Sequence, residues 1–139
     1  MKSSIIYYGI IPLGGSKMND YIINFLKEIM AIDSPSGYTK EVIHHCQKEA
    51  ENLGFHTHQT NKGNLEIYVE GQDDYTVGFC GHVDTLGLMV RSIKSDGTLA
   101  FTNVGGPIIP TLDGEYCRIH TRSGKCYTGT ILSNYPAVH

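Results

Sequence analysis

A histidine and an aspartate stand one residue apart in Gly81-His82-Val83-Asp84-Thr85. On an extended chain, side chains two positions apart project to the same side. His82 and Asp84 are therefore expected to share a face. An imidazole beside a carboxylate is prepared for metal ligation. The carboxylate accepts one ring N–H, sets the tautomer and makes the other nitrogen a better donor to the ion. The apolar run Tyr75 to Phe79 leads into this pair, which places it at the end of a strand, where sheets open toward ligands. His-x-Asp by itself is a weak signature, because a strand end with a surface Asp and a part-buried His is spelled the same way.

Other groups capable of chemistry read less sharply. His44 and His45 are adjacent on a predicted helix and point in directions too different to chelate one ion. His56 and His58 share a strand face as ligands might, but the face reads as polar and no third ligand is near, so a surface role is preferred. Four cysteines, Cys46, Cys80, Cys117 and Cys126, contain no C-x-x-C pair. They are read as reduced thiols of a cytoplasmic protein, with a Cys117–Cys126 hairpin bridge left open as the alternative.

The elements that must position His82 and Asp84 follow from periodicity. The chain has 139 residues, 40% hydrophobic and 18% charged, which suits one ordinary globular domain with a core. A net charge of -3 supplies no basic field for nucleic acid or for an anionic membrane. No apolar run is long enough to span a bilayer. Residues 1–17 are read as a dispensable N-terminal extension ahead of Met18, with an extra edge strand or an uncleaved export segment as the alternatives. A helix is predicted from an Asn19 or Asp20 cap, with Ile22, Phe25, Leu26, Ile29 and Met30 as its core stripe. It stops at Ala31-Ile32 before the turn residues Asp33 to Gly37. A second helix is expected from about Thr39 to Leu53, burying Val42, Cys46, Ala50 and Leu53, with Gly54 as its left-handed cap. A hairpin over 55–69 turns at Asn61-Lys62-Gly63-Asn64 and places Leu65, Ile67 and Val69 on one face. The loop 71–74 precedes a Tyr75–His82 strand, apolar or small on both faces and so expected inside a sheet. Beyond Asp84 helical periodicity disappears. Hairpins are expected over 88–101 and 116–131, as in a small barrel or sandwich. The last residues, 133–139, follow a strand with no closing element, so the chain is expected to be part of a longer protein.

In this order, Ser34-Pro35-Ser36-Gly37, Asn61-Lys62-Gly63-Asn64-Leu65, Gly81-His82-Val83-Asp84-Thr85-Leu86-Gly87-Leu88-Met89-Val90 and Gly105-Gly106 resemble the M42 family of metalloaminopeptidases. That family includes glutamyl aminopeptidases and the tetrahedral (TET) aminopeptidases. The likeness runs from about Met18 to His139. The family's pattern has Met-Asp-Glu after the His, and here Val83 and Thr85 occupy the first and third of those places.

The resemblance implies an α/β fold: the start of an α/β/α di-metal aminopeptidase domain over 18–87, then part of an inserted all-β barrel dimerisation domain over 88–139. It implies that His82 ligates one of two divalent ions, zinc or cobalt, and that Asp84 orients His82. The remaining ligands and the general-base Glu would lie downstream, so this chain is expected to hold at most one ion weakly and to be inactive alone. His139 is not expected to be a ligand. A peptide substrate and a homo-oligomer formed through the β domain are implied as partners. The alternatives are a related metal-dependent hydrolase, such as a deacylase or an endoglucanase-labelled homologue, and a non-enzymatic truncated product.

Overall fold

The computed structural model describes residues 15–72 and 74–133. Two helices are followed by three hairpins, and the chain divides into two units, 1–85 and 86–139. The first 14 residues of the expected N-terminal extension, Asp73 and the terminal stretch 134–139 with His139 lie outside the described residues.

In the first unit, α1 spans Gly15–Ala31 and α2 spans Lys40–Asn52. Helix α1 begins earlier than the expected cap at Asn19 or Asp20, and takes in residues 15–17 of the extension. Asn and Asp are poor helix formers but cost no more than about 0.7 kcal/mol each relative to Ala, and no glycine or proline interrupts the chain until the glycine pair at 14–15. The apolar stripe also divides. Tyr21, Phe25 and Ile29 are half-buried, whereas Ile22, Leu26 and Met30 are exposed. The reason lies in how α1 meets α2. The Tyr21 hydroxyl donates to Glu49 Oε1 at 2.7 Å, and the Phe25 ring stacks on His45 at 5.6 Å. The Tyr21–Phe25 edge therefore faces α2, and the expected core residues Ile22, Leu26 and Met30 lie to one side of it.

Helix α2 runs close to its expected bounds. Thr39 precedes it, and Glu41 in the first turn complements the helix dipole. Gly54 adopts φ +86°, and the amides of Leu53, Gly54 and Phe55 return to the carbonyls of Glu49, Glu51 and Ala50. This is the left-handed stop expected of Gly. Val42 and Ala50 are buried and Cys46 is half-buried, but Leu53 is exposed because it sits at the cap, past the last full turn.

Strands β1 (His56–Gln59) and β2 (Leu65–Tyr68) pair antiparallel, His56 opposite Tyr68 and His58 opposite Glu66. The turn closes through Thr60 and Asn64, with Gly63 at φ +88°. Ile67 and Val69 remain exposed. The expected Tyr75–His82 strand does not form among the described residues. A central strand needs a hydrogen-bonded neighbour on each edge, and this segment has none. Val77 is 62% and Phe79 96% exposed. Sheet-like bonding begins only past it, at a parallel bridge between Pro35 and Thr85.

In the second unit, β3 (Gly87–Ile93) pairs antiparallel with β4 (Leu99–Val104), with an irregularity between Val90 and Ser92. Asp96 Oδ1 accepts from the Thr98 amide and hydroxyl and so braces the turn. A 3-10 turn, Ile109–Leu112, leads to β5 (Tyr116–His120), which pairs with β6 (Cys126–Thr130). The described strands form three separate two-stranded sheets, one in the first unit and two in the second. The β5–β6 register puts Cys117 opposite Gly129 and Cys126 opposite His120. The two thiols are thus out of step along the ladder, and all four cysteines are free. No described helix is long and apolar enough to cross a membrane.

Candidate functional site

The turn after α1 carries the geometry. Gly37 at φ +87° lets the chain reverse, and the Tyr38 amide closes the turn on the Pro35 carbonyl at 2.7 Å. Ser34 is fully buried. A buried hydroxyl needs a partner, and Ser34 Oγ donates to the Val83 carbonyl at 2.9 Å. The Ser34 carbonyl in turn accepts the Thr85 amide at 2.8 Å. These two bonds and the Pro35–Thr85 bridge hold residues 83–85 alongside the turn.

Asp84 lies between those anchors. The Ser36 hydroxyl donates to Asp84 Oδ2, and Asp84 Oδ1 faces His82 Nδ1 at 2.9 Å. The Asp84 backbone carbonyl is 3.2 Å from the same nitrogen. Both atoms facing Nδ1 are acceptors, so the contact calls for the N–H on Nδ1, which in the neutral ring leaves the lone pair on Nε2. The His82 side chain is 83% exposed, that of Asp84 38%. The Ser36 hydroxyl is the main cause that holds the Asp84 carboxyl below its ordinary range; desolvation, next in size, opposes it, and the His82 ring adds a lesser downward pull. Asp84 is thus a charged acceptor at neutral pH.

His82 and Asp84 are brought together without the regular strand that was expected to carry them. This donor set suits one coordination position of a divalent ion, an imidazole nitrogen supported from behind by a carboxylate. It does not make a whole site. Among the described residues, no three His, Cys, Asp or Glu side chains converge where an ion could sit. His45 is engaged by Glu28 at 3.1 Å and His58 by Glu66 at 2.9 Å. His56 lies 5.8 Å from the Tyr68 ring. A cavity of about 370 Å³ opens between residues 69–72 and 75–77, bordered by neither His82 nor Asp84. Sequence reasoning missed the site role of Ser34 and Ser36, which read as turn formers and as part of a motif shared with the family. Their one signal was a serine on each side of Pro35 in a turn between two helices.

The sequence profile of the M42 glutamyl aminopeptidase family matches residues 63–139. YhfE of Bacillus subtilis (strain 168), whose name assigns it an aminopeptidase role provisionally, is 41% identical over 118 residues, 84% of this chain and 34% of that protein. The crystal structure of the TET aminopeptidase from the marine sediment archaeon Thaumarchaeota archaeon SCGC AB-539-E09 matches with a TM-score of 0.76 at 28% identity, over 84% of this chain and 33% of that one. The chain therefore spans about a third of the length of each.

Proposed function

Because this chain belongs to the M42 glutamyl aminopeptidase family, we propose that it forms the N-terminal part of a metal-dependent aminopeptidase that removes N-terminal residues from peptides. Residues 18–87 would begin the α/β/α catalytic domain, and residues 88–139 would belong to a β-barrel dimerisation domain inserted in it. His82 is the ligand this part contributes, through Nε2, and Asp84 holds its ring. The single observation that supports this is the 2.9 Å approach of His82 Nδ1 to Asp84 Oδ1, which turns Nε2 outward as a donor.

Two divalent ions, zinc or cobalt, belong to the complete enzyme under this reading, and when bound they supply Lewis-acid polarisation of the scissile carbonyl. This chain's own residues orient one imidazole, keep its proton on Nδ1 and leave its other nitrogen open to solvent. One ligand holds an ion weakly, so the chain alone is inactive, and its β unit is where a second copy docks. A cytoplasmic location belongs to the same reading.

A chimera tests it. The 118 residues matched in YhfE are replaced by those of this chain, and hydrolysis of leucyl- and glutamyl-anilides is compared with unmodified YhfE. The expected result is an active chimera that loses more than about 100-fold of its turnover on His82→Ala, with no hydrolysis by the 139-residue chain under added zinc or cobalt. Hydrolysis by the chain alone, or a chimera indifferent to His82→Ala, contradicts the proposal.

A further inference from the structure

We propose that Ser36 is a positioning residue for His82: its hydroxyl, held in place by the Ser34 clamp, fixes the Asp84 carboxylate so that the His82 ring keeps its proton on Nδ1 and presents Nε2. This rests on the reading of His82 as a metal ligand and adds a residue to it.

The Asp84 carboxylate is free to turn unless something holds it. Its terminal torsion is broad and roughly two-fold, and the Asp84 side chain is 38% exposed. Left to itself, such a group turns and exchanges partners with water. One oxygen must stay on His82 Nδ1 if the ring is to be oriented. Ser36 takes the other oxygen, Oδ2, and leaves Oδ1 directed at the imidazole. A neutral imidazole in water favours the proton on Nε2, and in that form Nε2 has no lone pair to offer. Fixing the Asp84 carboxylate therefore strengthens the tautomer that offers the donor, beyond what the Asp84 backbone carbonyl at 3.2 Å supplies.

Ser36 is held in position independently of Asp84's side chain. Ser34 Oγ bonds the Val83 carbonyl, the Ser34 carbonyl takes the Thr85 amide, and the Pro35–Thr85 bridge lies between. Backbone contacts at 83 and 85 thus bracket residue 84. Ser34, fully buried, fastens the turn. Ser36 is exposed, so its hydroxyl can be removed without opening a cavity. The two serines flanking Pro35 have separable tasks.

The test is the His82 tautomer in the intact chain, read from two-bond 1H–15N correlations of the neutral ring. The His82 signals are assigned among the seven histidines by their loss in His82→Gln. In the wild type the expected state is protonated Nδ1 with a pyridine-like Nε2. Ser36→Ala is expected to lose at least half of that preference while amide signals outside the turn stay in place, and Ser36→Thr, which keeps the hydroxyl, is expected to restore it. A Ser36→Ala ring identical to the wild type, or one that Ser36→Thr fails to restore, overturns the proposal while leaving the ligand reading intact. A wild-type ring protonated on Nε2 overturns the ligand reading, and the proposal with it.

Discussion

Asp84 accepts a hydroxyl on one oxygen and a ring N–H on the other, which separates it from an ordinary surface carboxylate. His82 and Asp84 were legible in the sequence because their relation is local, two positions along an extended stretch. Ser34 and Ser36 were not, because they meet Val83 and Asp84 across 49 and 48 residues, and no periodicity reports a contact at that range. A second polar pair can be read through pH. Burial, then the Glu49 carboxylate, push the Tyr21 phenol from 10.0 up to about 12. The folded state binds this proton more tightly than the unfolded chain. The stabilisation is therefore fully present below about pH 10 and is lost as pH rises through about 12. Tyr21→Phe is expected to cost about 1 kcal/mol at neutral pH, the lost hydrogen bond, and to flatten the alkaline decline of helical circular dichroism. An alkaline profile unchanged by the substitution would contradict this account of Tyr21.

At the scale of elements, helix α2 and the hairpins were readable because caps, turn glycines and alternation are local signals. Gly54 and Gly63 take the positive φ expected of their turns, and Gly97 takes one within the 88–101 hairpin. The outward stripe of α1 and the Tyr75–His82 segment were misread because burial is set by partners, and apolar spelling reports only a need for them. Two substitutions test the elements. Val42 is fully buried on α2, and Val42→Ala is expected to lower stability by about 2 kcal/mol in urea denaturation. Gly105, just past β4, has φ +77°, and an added Cβ would come within 2.7 Å of Leu86 Cδ2. Leu86 is 60% exposed and its tip can move aside, so the backbone carries the cost. Gly105→Ala is expected to destabilise by about 1–2 kcal/mol. Gly106→Ala, with nothing within 4 Å, is the control, and equal effects at the two positions would exclude the backbone explanation.

For the whole molecule, the apolar residues describe an unfinished surface. Among the described residues only Val42 and Ala50 are buried hydrophobics, while Met89, Val90, Ile93, Ile108, Tyr116 and Leu132 of the second unit are exposed. Apolar exposure on this scale favours association, and a net charge of -3 offers little repulsion against it. Sedimentation velocity is expected to show dimers or larger species that Met89→Lys with Ile93→Lys shifts toward monomer. A monodisperse wild-type monomer would remove the β unit as a docking surface. At the site itself, the proposed role of the outward nitrogen of His82 is that of a metal donor. Titrating the chain with zinc while following the imidazole 15N signals measures this donor atom by atom. His82 Nε2 is expected to shift first, at a stoichiometry of no more than one ion, and His82→Gln is expected to remove this tightest step. A zinc isotherm unchanged in His82→Gln, or zinc arriving at Nδ1, would contradict it.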